Sequence, residues 1–256
     1  MPTAKLALLL VPLLLPSAAA NPAVEPVPRE HFGADRRSWP ERHAEYVAEA
    51  RRGGIDVLFL GDSITDLWRS VGRAVWDRRL APLRSANFGL DGDRTQHLLW
   101  RLRHGELEGL SPRVVVILIG TGNLMVQHGT GLPRNSVPET IAGITAVVDT
   151  VQEKLPRAQV LLLGLLPRNA PESPYRREVA EINRALGALR RDRLHFLDIG
   201  ASFLEADGTL PVALMPDLLH PSEAGYAVWA EAIAGPLDRL RALAEAESGG
   251  GTAAGR

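Results

Sequence analysis

Residues 114–119 read Val-Val-Val-Ile-Leu-Ile, six apolar positions in succession and mostly β-branched. A strand wet on one face alternates apolar with polar residues, whereas an unbroken run is covered on both faces, as in the interior of a parallel sheet. Parallel neighbours need crossover connections of a dozen or more residues, usually helical. The surrounding sequence supplies them. Apolar runs at 57–60, 86–88, 114–119, 160–163 and 194–197 alternate with segments of helical periodicity near 64–70, 94–103, 137–154 and 173–190. A last helix is expected over 222–243, interrupted at Gly235-Pro236. Alternation of this kind, with right-handed crossovers, predicts an α/β fold. It is a three-layer α/β/α sandwich around a parallel sheet of about five strands.

The two ends depart from that pattern. Lys5 precedes the apolar run 6–15, which is followed by Pro16, Ser17 and Ala18-Ala19-Ala20. A basic start, a short apolar stretch and a small-residue cleavage site describe a signal peptide. The run is too short to span a bilayer, which needs roughly 20 residues. Residues 1–20 are therefore expected to be removed near Ala20, giving a secreted or periplasmic product. No second apolar segment is long enough for a membrane span. Residues 21–54 read as a Pro/Arg-rich arm and a short helix, 41–52, stopped by Gly53-Gly54. The main domain is expected over 55–245. Residues 246–256, Gly-rich and without apolar periodicity, are expected to form a disordered tail.

Composition removes several function classes. The formal net charge is −1 and no basic stripe forms, which argues against nucleic acid as a partner. With no cysteine there is no disulfide framework, thiolate metal site or cysteine nucleophile. The histidines show no paired-ligand spacing, so no metal site is expected. Neither a G-x-G-x-x-G nor a P-loop pattern is present, and no cofactor is expected.

In a doubly wound sheet, ligands bind beyond the carboxyl ends of the strands. The first apolar run is followed by Gly61-Asp62-Ser63. A serine at a strand-to-helix turn exposes its hydroxyl near the first N–H groups of the helix, where negative charge is stabilised. The same position would also suit a helix N-cap. Much later comes His220, three residues after Asp217 and just before Pro221. A histidine base needs a carboxylate on Nδ1, leaving Nε2 for the serine, and a spacing of three in a turn supplies both groups. Pro221 disfavours helical geometry at His220. A surface Asp–His pair beside a helix start is the alternative. Asp93 and Arg94, following Gly92, suit either substrate contact or, more readily, an ion pair at a helix start, and Trp68 and Trp100 read as packing between helix and sheet. Gln127 and His128 fit either an entrance or plain exposure. Leu218 and Leu219 suit an acyl pocket or the core.

Taken together, GDSITDLW, NFGLDGDRTQHLLWRLRHGEL, VVVILIGTGN, LLLGLLPR and DLLHPSEAGY, in that order, resemble the SGNH/GDSL hydrolase family over about 55–240. Within it they resemble the branch of platelet-activating-factor acetylhydrolase catalytic subunits. The resemblance implies a flavodoxin-like sandwich and metal-free ester hydrolysis through an acyl-serine. Ser63 then looks like the nucleophile, with Asp217 and His220 as the other triad members. The oxyanion hole would take the N–H groups of Ser63 and Gly92 and an asparagine side chain. Here the chain departs from the family's Gly-x-Asn pattern: it reads Gly120-Thr121-Gly122-Asn123, with Gly122 where the asparagine belongs. Either Asn123 reaches the site through a backbone shift, or the Gly122 N–H or a water substitutes, or the hole is defective. The expectation is an active esterase on a small ester, acylated carbohydrate or lipid with a short acyl group. The alternative is a non-catalytic binding protein on the same fold. Relatives often pair, but nothing in these residues requires an oligomer.

Overall fold

The computed structural model describes residues 21–29, 38–127 and 129–249. The expected signal peptide, residue 128 and residues 250–256 lie outside the described residues. Five parallel strands form one sheet: β1 (Val57–Gly61), β2 (Ser85–Gly89), β3 (Val114–Leu118), β4 (Gln159–Leu163) and β5 (Leu194–Leu197), in the order β2-β1-β3-β4-β5. The central strands β1, β3 and β4 are buried along their whole length, as their unbroken apolar runs require. From β1 the chain goes to β2 on one side and later to β3 on the other. The topological switch point therefore lies between β1 and β3, and their carboxyl ends open the crevice.

Seven α-helices accompany the sheet among the described residues: α1 (Trp39–Arg52), α2 (Ser63–Asp66), α3 (Arg73–Arg79), α4 (Thr95–Arg103), α5 (Val137–Lys154), α6 (Pro174–Gly187) and α7 (Glu223–Gly249). Helices α4, α5 and α6 contact one another in sequence on one face, and α3 contacts α7 on the other. α1 starts at Trp39 rather than at 41. Ser38 caps it in a box with Glu41, and Pro40 sits in its first turn, where a missing N–H costs nothing.

Two expectations need correction at the last helix. α7 is not interrupted at Gly235-Pro236, and it continues to Gly249, past the tail boundary expected at 246. Its apolar stripe runs through Tyr226, Trp229, Ile233, Leu237 and Leu240, all buried on both sides of the proline. That burial outweighs the roughly 3 kcal/mol a mid-helix proline costs.

The arm is not loose on the surface. Ala23 is buried, the Thr95 hydroxyl donates to the Ala23 carbonyl at 2.8 Å, and the Val27 N–H donates to the Gln96 carbonyl at 3.3 Å. These bonds lay the arm across the start of α4 and carry Arg29 to the carboxyl-end rim of the sheet.

Candidate active site

β1 ends at Gly61 and α2 begins at Ser63, so the chain turns sharply between them. The residue that caps α2 is Asp62, whose Oδ1 accepts the Ile64 N–H at 3.0 Å. The N-cap reading of Ser63 therefore fails, and its hydroxyl is left for another partner. Burial pushes the Asp62 carboxyl up to about 7, against the pull of the Ile64 N–H and with the help of nearby Asp93 and Asp91. On the far side of the turn, the Tyr226 hydroxyl donates to the Ile64 carbonyl at 2.6 Å, tying α2 to α7.

Ser63 Oγ lies 3.0 Å from His220 Nε2, although 157 residues separate the two. His220 Nδ1 lies 2.7 Å from Asp217 Oδ2. The other oxygen of Asp217 accepts the N–H groups of His220 at 2.7 Å and Leu219 at 3.0 Å. Burial opposes the Asp217 charge, but these backbone and ring hydrogen bonds together hold the carboxyl below its usual range. The loop closes tightly because Leu218 adopts φ +58, a left-handed conformation unusual for leucine. The Asn169 N–H anchors it by donating to the Leu218 carbonyl at 2.9 Å.

The loop after β2 contributes Gly92, at φ +71 in a turn closed by the Asp93 N–H donating to the Leu90 carbonyl. A side-chain carbon there would meet only the movable end of the Arg29 side chain, so it is the positive φ that favours glycine. Arg29 Nη1 donates to the Asp91 carbonyl at 2.8 Å. A trans peptide sets its N–H opposite its carbonyl, so the Gly92 N–H faces away from that bond. Among the described residues no acceptor takes the N–H of Ser63, Gly92 or Gly122.

Asp93 does not pair with Arg94, as the sequence suggested. It is buried beneath the loop, accepting from Trp39 Nε1 at 2.7 Å and Arg101 Nε at 2.8 Å. Burial raises its carboxyl to about 6 despite Arg101. Arg101, itself buried, also donates to Glu106 at 2.6 Å and to the Phe88 carbonyl at 3.1 Å. The Arg94 N–H donates to His97 Nδ1 at 3.1 Å, and burial together with neighbouring guanidinium groups lowers that ring's pKa to about 2, so it is neutral.

Asn123 is turned away from the serine, contrary to its expected part in the hole. Its side chain is fully buried. Oδ1 accepts the Thr95 N–H at 3.0 Å, while the amide nitrogen meets Thr95 Oγ1, Asn135 Oδ1 and Gln96 Oε1 at 3.0–3.2 Å. With both donor hydrogens engaged there, none is left for an oxyanion. Gly122 faces the cavity instead, and a side-chain carbon on it would stand 2.8 Å from the Asp93 carbonyl oxygen. An asparagine at 122 would need the backbone to move.

Ser63, His220, Gly92, Gly122, Met125 and Leu219 share one cavity of about 190 Å³, bordered also by Arg29 and Arg134. Leu219 faces it, whereas Leu218 packs on the core. Trp68 is buried in the core, but Trp100 packs on Trp39, His43 and His104 rather than against the sheet. Gln127 is exposed. Sequence reasoning missed Arg29, Met125 and Arg134, which lie in stretches of no periodicity and reach the site only through the packing of the arm and of the loop after β3.

A family model described as GDSL-like lipase/acylhydrolase matches residues 59–228. Human platelet-activating factor acetylhydrolase IB subunit alpha1 is 37% identical over 228 residues, covering 88% of this chain and 94% of that protein. The mouse subunit alpha2 is 36% identical over 210 residues, covering 81% of this chain and 86% of that protein. Among solved structures, a GDSL-like lipase from Bacteroides thetaiotaomicron superposes with a TM-score of 0.59 at 20% identity, over 78% of this chain and 97% of that one. Axe2, an acetylxylan esterase from Geobacillus stearothermophilus, superposes with a TM-score of 0.57 at 22% identity, over 71% and 93%. At such identities the superpositions speak to the fold alone.

Proposed function

Because this chain belongs to the GDSL-like lipase/acylhydrolase family, and is thus a carboxylic ester hydrolase, we propose that Ser63 is its nucleophile, His220 its general base and Asp217 the group that orients that base. The observation that carries this reading is the 3.0 Å contact of Ser63 Oγ with His220 Nε2, backed by the 2.7 Å contact of His220 Nδ1 with Asp217. As the serine oxygen attacks the ester carbonyl, His220 takes its proton, and ionised Asp217 stabilises the imidazolium. The N–H groups of Ser63 and Gly92 hold the oxyanion, with the Gly122 N–H in place of the family's asparagine amide. His220 then protonates the leaving alcohol, and water repeats the sequence to release the acid. A hole lacking one strong donor is slower by roughly 10²–10³ than a complete one.

The preferred acyl group is short. A cavity of about 190 Å³ supports this, being smaller than the ~300–1,000 Å³ of typical ligand pockets, as does the similarity to a relative named as an acetylhydrolase subunit. The enzyme is exported after cleavage near Ala20, a cut that keeps the whole arm from Asn21. N-terminal sequencing of protein recovered from periplasm or medium should begin at Asn21; a product there still starting at Met1 would refute cleavage, and protein confined to the cytoplasm would refute export.

Fluorophosphonate labelling of the wild type beside Ser63→Ala, with turnover of an acyl-chain series, tests the catalytic assignment. Wild type should label and the variant should not, with turnover falling on the order of 10⁶. Full esterase activity in Ser63→Ala would overturn the assignment. An unlabelled, inactive wild type would favour the binding-protein reading, for which the inward-turned Asn123 amide is the specific observation.

A further inference from the structure

Three guanidinium groups gather on one side of the cavity mouth. Arg29 arrives on the arm and Arg134 on the loop after β3, both lining the cavity. Arg94 stands at the start of α4, its Cγ 3.4 Å from where a side-chain carbon on Gly122 would be. The three are far apart in the chain, so their meeting is a product of the tertiary fold.

Their counter-charges are few. Arg29 donates to the Asp91 carbonyl, and its ion-pair contact among the described residues is a long one, 3.9 Å to Asp93. Asp93 is already engaged by Trp39 and Arg101. Arg94 makes no ion pair among the described residues: its Nη2 stands 3.5 Å from His97 Nε2, which carries the proton of the neutral ring while Nδ1 accepts, so the contact supplies no counter-charge. Arg134 makes no side-chain hydrogen bond or ion pair among the described residues. Two further acids border the cavity, Asp91 and Asp62. Burial holds Asp62 partly protonated near neutrality, so among the described residues fewer carboxylate charges than guanidinium groups face the cavity. Burial, and then repulsion from Arg134 and Arg29, both weaken the hold of Arg94 on its proton. A half-buried cluster of like charge is relieved when an anion enters, and arginine is the side chain best shaped to grip a carboxylate or phosphate.

We propose that Arg29, Arg94 and Arg134 form a subsite for an anionic group, a carboxylate or a phosphate, on the alcohol portion of the ester cleaved at Ser63. The assignment rests on the esterase reading above. The cavity has room for a short acyl group, so the charge belongs to the half of the ester that departs through the mouth.

The test compares kcat/KM for para-acetoxybenzoate and para-acetoxyphenyl phosphate with that for the neutral para-acetoxybenzamide. At low salt the wild type should prefer at least one anionic ester by roughly tenfold or more. That preference should shrink as sodium chloride screens the charges. The more favoured of the two anions identifies the group the subsite takes. In the double variant Arg94→Gln/Arg134→Gln the ratio should fall toward one. Because a ratio cancels the fraction of active enzyme, partial misfolding does not disturb it, and the salt series on wild type needs no variant at all. A wild-type ratio at or below one, a preference indifferent to salt, or an unchanged ratio in the double variant would each overturn the subsite. Failure to cleave even the neutral ester would instead sink the esterase reading, and the subsite with it.

Discussion

An asparagine side chain has two donor hydrogens and an acceptor oxygen, and all three are in use at Asn123 before any substrate arrives. Its work is to fasten the turn after β3 to the start of α4. Asn123→Ala should therefore act on stability: unpairing the buried Thr95 N–H and the Asn135 carbonyl oxygen costs about 1–3 kcal/mol, read as a lower urea midpoint. The acylation rate should change by less than about tenfold. A rate loss of 10² or more at unchanged stability would mean that the amide does reach the oxyanion. At this scale the sequence was legible where a short motif holds both partners. Asp217 and His220 are three residues apart, and their contact is local. Ser63 was marked by its place after a strand, yet its distance from His220 was a matter for the whole fold. Arg29 and Arg134 left no mark in the sequence, because nothing local distinguishes a cavity-lining arginine from a solvated one.

At the scale of elements, Arg101 joins three of them. It reaches from α4 to the end of β2, and it bridges Asp93 under the Gly92 turn to Glu106 beyond the helix. Burial disfavours its charge, but Glu106 and Asp93 more than offset that and keep it protonated. Arg101→Met would leave two buried carboxylates without their cation and should cost about 3–5 kcal/mol, measured by denaturant unfolding. A loss below about 1 kcal/mol would show that the pair relaxes toward water. The elements themselves were largely readable. Each of the five runs became a strand within a residue or so. Full burial on two faces writes an uninterrupted signal for β1, β3 and β4, while β2, with Asn87, and half-buried β5 were legible from their place in the alternation. α3 was not anticipated, and the reason is plain: it has seven residues, only Val75 is buried, and no amphipathic period can establish itself. α7 was cut short on paper because proline and glycine are local punctuation, while the stripe that overrides them is a tertiary fact.

For the molecule as a whole, Asp62 ties stability to pH. Its carboxyl titrates near 7 in the folded state against 3.8 ordinarily, because burial raises it. Between those values the unfolded chain has released a proton that the native state retains. Folding free energy from this group therefore declines as pH climbs through that window and levels off above about 7. Asp62→Asn keeps the cap on α2 and removes the titration. The variant's stability relative to wild type should accordingly improve from about pH 4.5 to about pH 8, followed by urea midpoints at each pH. An identical difference at both would mean that Asp62 is ionised throughout. Asp93, raised to about 6, contributes a slope of the same sign in both proteins, and relief of its repulsion from Asp62 in the variant adds to the improvement at high pH. The arm segment that carries Arg29 has a consequence of its own. A polypeptide begun after residue 29 would retain every strand, the serine and the histidine, yet present an altered doorway. Under the proposed subsite, selectivity for anionic esters would then be lost with no change to the catalytic residues.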